Sequence, residues 1–107
     1  MQFIRSVKDG GHYDLIVCGA GPGGTAAAIS AAQEGRRVLL MDAAGCLGGY
    51  WTSGLMSISL DMPGKGGIPL KICNELLAKN RAEWADRASY VYDNESMKLV
   101  LESMVLD

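Results

Sequence analysis

The residues best suited to chemistry in this sequence are a group of glycines followed by an acidic residue. Gly19, Gly21 and Gly24 have the spacing Gly-x-Gly-x-x-Gly. The first glycine permits a tight turn, the second lets backbone approach a pyrophosphate, and the third lets a helix pack close to a strand. Free N–H groups at a helix start also attract phosphate charge. Asp42, eighteen residues after Gly24, is placed to bind ribose hydroxyls.

The segments around this turn have the pattern of a strand–helix–strand unit. Leu15–Cys18 precedes the turn and Val38–Met41 follows the helical segment, and both are continuous apolar runs. Such runs predict strands buried on both faces of a parallel sheet, with Cys18 packing as a small hydrophobe. Between them, Gly24–Glu34 is rich in alanine, the best helix former, and Gly35 is a natural helix stop. The sequence therefore predicts dinucleotide binding on a β-α-β unit.

The rest of the chain predicts a long loop and two further helices. Residues 43–67 contain seven glycines, and a loop of this length is usually functional because glycine lets backbone approach a ligand. Ile68–Ala78 and Asn94 to about Val105 have the apolar periodicity of amphipathic helices, the second capped by Asp93. Tyr90–Tyr92 is expected to be extended. We expect one partial domain over residues 1–107, with a lead-in at 1–12, the β-α-β unit at 13–42, the glycine-rich loop at 43–67 and a helical part at 68–107.

Composition is that of an ordinary globular chain. The sequence has 107 residues, a formal charge of −2, and 49% hydrophobic and 21% charged residues. The slight acidity gives no reason to expect nucleic acid or an anionic membrane as a partner. A membrane span and a signal peptide are not predicted either, so we expect a cytoplasmic protein. The three cysteines lack the spacing of a metal or redox pair.

The length of the chain predicts an incomplete sheet. A doubly wound dinucleotide fold needs a third strand, and no candidate for it follows the helix that starts at Asn94. Two parallel strands alone leave a sheet that is nearly all edge. The expected fold is therefore α/β, a partial Rossmann-like dinucleotide-binding fold. We expect either a fragment or a subunit whose sheet is completed by a second chain or by another copy.

A second glycine group follows directly after Asp42 and reads Gly45-Cys-Leu-Gly-Gly49. With this loop, the chain resembles the FAD-dependent oxidoreductases of the two-dinucleotide-binding-domain flavoprotein superfamily. The resemblance covers residues 13 to about 105, but it corresponds only to the N-terminal part of such enzymes, which are several times longer. It rests on the segments 13–24, 38–42, 45–49, 52–55, 66–68 and 92–93.

The resemblance implies the FAD-binding portion of a flavin-dependent oxidoreductase, with a small-molecule substrate that the sequence does not identify. The residues implied to hold the pyrophosphate of FAD are Gly19, Ala20, Gly21, Pro22, Gly23 and Gly24. Asp42 would bind the adenosine ribose. The residues implied to run along the flavin side are Leu47, Gly48 and Gly49. Thr52 and Ser53 would approach the pyrophosphate or the isoalloxazine ring.

The sequence is less informative about the roles of the other reactive or aromatic residues. The disulfide reductases of that superfamily carry two cysteines just after the matching glycines, and this sequence has none there. Cys46 is expected to be a structural loop residue, with a reactive thiol or a covalent flavin attachment point as the alternative. Tyr50 and Trp51 could pack on the cofactor or fill the core, and we expect the core. His12 is expected to be a surface or hinge residue. Catalytic residues stay unassigned, which suits a flavin enzyme because the flavin carries the redox chemistry.

Two alternative functions remain open. The first is the nucleotide-binding segment of an NAD-dependent dehydrogenase, although the loop at 45–49 argues against it because such folds usually continue from the ribose acid into a short connection. The second is a non-catalytic fragment or small subunit that a partner completes. Because the predicted sheet is unfinished, we expect the isolated chain to bind FAD weakly or not at all.

Overall fold

The computed structural model describes residues 1–2 and 4–106 of the chain. The described residues before Tyr13 form neither helix nor strand. In chain order the regular elements are β1 (Leu15–Cys18), α1 (Pro22–Gln33), β2 (Val38–Met41), a 3-10 turn (Gly49–Trp51), β3 (Ile58–Ser59), α2 (Gly67–Ala78), β4 (Ala82–Trp84), β5 (Tyr90–Tyr92) and α3 (Asn94–Leu106).

The predicted β-α-β unit is confirmed. β1 and β2 pair in parallel, with Leu15 opposite Val38 and Cys18 opposite Met41, and α1 connects them. α1 begins at Pro22, two residues earlier than the sequence predicts, because proline suits the first helical position. The helix ends before Gly35, whose φ of +76° is the left-handed conformation of a glycine helix stop.

The hydrophobic core lies mainly between α2, α3 and β5. Ile72, Cys73 and Leu76 of α2 are buried, as the predicted apolar face requires. On α3 the buried residues are Met97, Val100 and Leu101, whereas Val105 is exposed. The Asp93 carboxylate accepts a hydrogen bond from the Ser96 N–H at 2.8 Å, which confirms the predicted helix cap.

A second sheet was not predicted. β3, β5 and β4 form an antiparallel sheet in that order, with Ile58 opposite Val91 and Trp84 opposite Tyr90. The segment 43–67 is therefore not only loop, and the segment 68–107 is not only helical. β3 has two residues, and β4 begins Ala82-Glu83, which are poor strand formers. These strands depend on pairing with β5, which local sequence does not reveal.

The predicted burial of β1 and β2 on both faces is wrong. α1 packs against both strands, but Ile16 is 54% exposed and Leu15, Met41 and Cys18 are also exposed. Cys18 is therefore not a packed core residue in this structure. Among residues 1–2 and 4–106, helices long and apolar enough to cross a membrane are absent.

The core of α3 supplies a direct test of the fold. Leu101 is 0% exposed and Leu99, on the same helix, is 66% exposed. We expect Leu101→Ala to lower the free energy of unfolding by about 2–5 kcal/mol, because it removes buried methyl groups and leaves a cavity. Leu99→Ala should change it by less than about 0.5 kcal/mol. Urea denaturation measures both, and equal effects would contradict the described packing of α3.

Candidate functional site

The glycine turn after β1 is shaped by one very close approach between backbone segments. Gly19 has a φ of +105°, a conformation that side chains disfavour. A Cβ atom on Gly24 would lie 1.8 Å from the carbonyl oxygen of Gly19. The start of α1 is therefore as near to the end of β1 as glycine alone allows. These are the roles that the sequence predicts for the first and third glycines.

The other two glycines of the turn face open space. A Cβ atom on Gly21 or Gly23 would meet no atom within 4 Å. Gly21 is the N-cap residue of α1, and no side chain caps this helix end. The first hydrogen bond of the helix is donated by the Thr25 N–H to the Gly21 carbonyl. The N–H groups of Gly23 and Gly24 therefore have no acceptor within the helix and are available as donors. Open space in front of free donors fits a phosphate group.

Asp42 connects the end of β2 to this turn. Its Oδ2 accepts a hydrogen bond from the Ala20 N–H at 2.5 Å, and its Oδ1 accepts one from the Ala44 N–H at 2.7 Å. These bonds, that of Ala44 most strongly, lower the pKa of the Asp42 carboxyl below its usual value. The ionised carboxylate keeps further acceptor capacity on each oxygen, which suits the hydroxyls of a ribose.

The second glycine group lies directly on the first. The Gly48 N–H donates to the Ala20 carbonyl at 2.7 Å. With φ of +104°, Gly48 fits so closely that its Cβ would lie 2.7 Å from Cδ1 of Leu101. A Cβ on Gly49 would lie 3.0 Å from Cα of Gly21. The two loops thus form one continuous backbone surface.

Thr52 and Ser53 lie differently in this surface. Thr52 is 0% exposed, and its hydroxyl donates to the Leu47 carbonyl at 2.5 Å. Its side chain therefore holds the loop together and does not face the open side. Ser53 is exposed, with its hydroxyl 3.5 Å from the Gly49 carbonyl. Cys46 is half-buried, with its Sγ 3.7 Å from the Thr52 hydroxyl oxygen.

Two cavities open at the glycine turn, one lined by Ala20 and the other by Gly21. The first, of about 360 Å³, lies beside Asp42 and is lined also by Ala20, Leu47 and, from α3, Lys98 and Glu102. The second, of about 420 Å³, is lined by Gly21, Pro22, Gly49, Tyr50, Ser53 and Gly54. Apart from the buried Thr52, the structure thus gathers the residues expected to form the site around one turn.

Three residues around these cavities differ from the expectations drawn from sequence. Lys98 and Glu102 were missed because nothing in the sequence indicates that their face of α3 meets the loop after β2. A hydrogen bond from Lys98 to the Glu95 carboxylate, 2.7 Å long, raises the pKa of the lysine. Tyr50 was expected in the core and is instead 70% exposed, whereas Trp51 packs against the core as expected.

A parallel β-α-β unit with a glycine turn and an acidic residue at the end of the second strand defines a Rossmann-type dinucleotide-binding fold. The chain belongs to the FAD dependent oxidoreductase family, whose sequence profile matches residues 14–107. This confirms the predicted family and, with it, an oxidoreductase class that uses FAD.

Individual relatives match shorter stretches. A soluble pyridine nucleotide transhydrogenase from Marinomonas sp. is 49% identical over 41 residues, which are 38% of this chain and 9% of the relative. A sarcosine oxidase subunit alpha from Rhizobium meliloti is 45% identical over 51 residues, 48% of this chain and 5% of the relative. The matched stretches thus cover less than a tenth of the length of these curated relatives.

A solved structure shows a similar fold. The crystal structure of Thermovibrio ammonificans THI4 superposes with a TM-score of 0.62 at 19% sequence identity. The similarity covers 88% of this chain and 35% of that one. At this identity the likeness supports the Rossmann-type fold and says nothing further about activity.

Adjacent glycines in the turn should respond to substitution in opposite directions. Gly24→Ala places a methyl group against the Gly19 carbonyl, so we expect it to lower the free energy of unfolding by about 1–3 kcal/mol or more. Gly23→Ala meets open space in the same helix and should raise that free energy by about 0.4–1 kcal/mol. Urea denaturation of the two variants gives the comparison. A Gly24→Ala protein as stable as Gly23→Ala would contradict the close approach.

The hydrogen bonds of Asp42 should make stability depend on pH. The lowered pKa in the folded protein means that the carboxylate stabilises the fold fully above about its ordinary value of 3.8. That contribution is lost as the pH falls through the lower folded value. We therefore expect the difference in unfolding free energy between the unmodified protein and Asp42→Asn to be constant near neutrality and to shrink below about pH 3.8. A difference that stays constant on acidification would show that the bonds are absent.

Proposed function

We propose that this chain forms the FAD-binding part of an FAD-dependent oxidoreductase. The observation that carries the proposal is the open space before Gly21 and Gly23, at the start of a twelve-residue helix and beside the carboxylate of Asp42. Family membership favours FAD over the NAD-dependent alternative.

The pyrophosphate of FAD would lie in the turn formed by residues 19–24. The N–H groups of Gly23 and Gly24 would donate to its oxygens, and the partial positive charge at the start of α1 would favour its negative charge. Pro22 lacks an N–H group but fixes the first helical residue in a suitable conformation. Gly19 contributes the turn itself, and the peptide of Ala20 holds Asp42 in place.

The remaining contacts follow from the two cavities. Asp42 would bind the adenosine ribose, with Leu47 lining the same cavity. Gly49 and Ser53 line the second cavity, which would receive the cofactor on its flavin side. Gly48 and Thr52 would act by positioning, because both are buried and tie the loop to the turn and to itself.

When bound, FAD supplies the electron or hydride transfer that defines the family. The residues of this chain would bind and orient the cofactor, and they would exclude water from its pyrophosphate. The exposed apolar residues of β1 and β2 support a larger assembly, in which further protein, a second chain or another copy, covers the sheet. We also propose a cytoplasmic location, supported by the free thiols of Cys18, Cys46 and Cys73.

A pair of matched glycine variants tests the proposed phosphate site. Gly21 and Gly66 are both N-cap residues of twelve-residue helices, both lack a side-chain cap, and both face open space. Aspartate is a favoured N-cap residue, so Gly21→Asp and Gly66→Asp should both fold. The new carboxylate at residue 21 would repel a pyrophosphate, so we expect FAD binding to weaken about tenfold or more, whereas Gly66→Asp should leave it unchanged.

The measurement is a titration of each protein with FAD, followed by flavin absorbance and fluorescence, together with a urea denaturation curve. Equal FAD affinity in the two variants would show that the glycine turn does not hold the pyrophosphate. Absence of binding to the unmodified chain at about 1 mM FAD would overturn the proposed function.

A further inference from the structure

Tyr50 is an exposed aromatic residue beside the proposed cofactor site. Its side chain is 70% exposed, although its neighbour Trp51 packs against the core. The 3-10 turn at Gly49–Trp51 directs these consecutive residues in different directions. The ring of Tyr50 is therefore accessible to a ligand bound at the candidate site.

The backbone around Tyr50 is firmly held. The Met56 N–H donates to the Tyr50 carbonyl at 2.9 Å, and a Cβ on Gly54 would lie 2.7 Å from the Tyr50 Cα and 3.0 Å from its ring. The Asn94 side chain donates to the Trp51 carbonyl at 2.9 Å, and the Tyr92 hydroxyl donates to the Met56 carbonyl. The backbone at Tyr50 is thus connected to β5 and α3, and little backbone ordering is left for a ligand to impose.

The position of the ring distinguishes the two halves of the cofactor. Tyr50 lines the cavity of about 420 Å³ that begins at Gly21 and Pro22, whereas Asp42 lines the other cavity. A ligand with its ribose at Asp42 in the first cavity and its pyrophosphate at the turn could extend past Gly21 into the second cavity, which Tyr50 lines. The cavity there exposes mainly carbon atoms, which suits a planar aromatic group.

We propose that Tyr50 is a cofactor-binding residue whose ring packs against the flavin half of FAD. This inference rests on the proposed function. It assigns the second cavity to the flavin half and gives Tyr50, a residue expected to belong to the core, a direct role in affinity. The phenol hydroxyl, which makes no hydrogen bond to residues 1–2 or 4–106, is free to contact the polar edge of the ligand.

The test compares Tyr50→Ala and Tyr50→Phe with the control Leu60→Ala, which changes an exposed residue of the same loop outside both cavities. Each protein is titrated with FAD, with FMN and with ADP, so that the two halves of the cofactor are probed separately. We expect Tyr50→Ala to weaken FAD and FMN binding about tenfold, the loss of one stacked ring, and to leave ADP binding unchanged. Tyr50→Phe should retain most of the affinity, and Leu60→Ala all of it.

Fluorescence supplies a readout that a purely structural role would not move. A phenol ring in contact with an isoalloxazine quenches its emission, so bound flavin should be brighter in Tyr50→Ala than in the unmodified protein. Unchanged FAD affinity in Tyr50→Ala would overturn the role of Tyr50 and leave the proposed function standing. An equal loss of affinity for FAD and for ADP in Tyr50→Ala would also overturn it, because the effect would then not be specific to the flavin half. Failure of the unmodified protein to bind both FAD and ADP would overturn both proposals.

Discussion

The peptide groups of Ala20 hold the site together. Its N–H donates a hydrogen bond to the Asp42 carboxylate, and this bond connects the end of β2 to the turn. Its carbonyl accepts hydrogen bonds from the Gly48 N–H at 2.7 Å and from the Thr25 hydroxyl at 2.9 Å, which bring in the second glycine loop and α1. Ala20 and Thr25 are buried, so the bond between them is shielded from water, whereas the Asp42 residue is exposed. The two cavities exist because these segments meet at one residue.

The same arrangement couples the site to the hydrophobic core. Gly48 packs against Leu101, a buried core residue of α3. The position of the second glycine loop therefore depends on core packing. Lys98 and Glu102, on the same helix, line the cavity beside Asp42. α3 therefore packs against the second glycine loop and also lines the cavity beside Asp42, although it lies more than fifty residues after the turn in sequence.

Sequence predicted those parts of the structure that depend on local spacing. The parallel unit around Gly19–Gly24, the cap at Asp93 and the buried faces of α2 and α3 follow from short-range patterns. The strands β3 and β4 could not be predicted, because they are stabilised by pairing with β5 and not by their own composition. The exposure of Ile16 and Tyr50 and the burial of Thr52 were missed for a related reason. Burial depends on which surfaces meet, and hydrophobicity alone does not report it.

Gly48 shows how such a site restricts the sequences that can encode it. Two independent penalties oppose any side chain there, because the φ of +104° disfavours it and Leu101 and Thr52 already fill the space. A smaller residue at position 101 would relieve the contact with Leu101, but neither the contact with Thr52 nor the backbone strain. Every substitution of a glycine introduces a larger side chain. Any substitution at position 48 would therefore disturb the loop, so sequence variation has to occur at other positions.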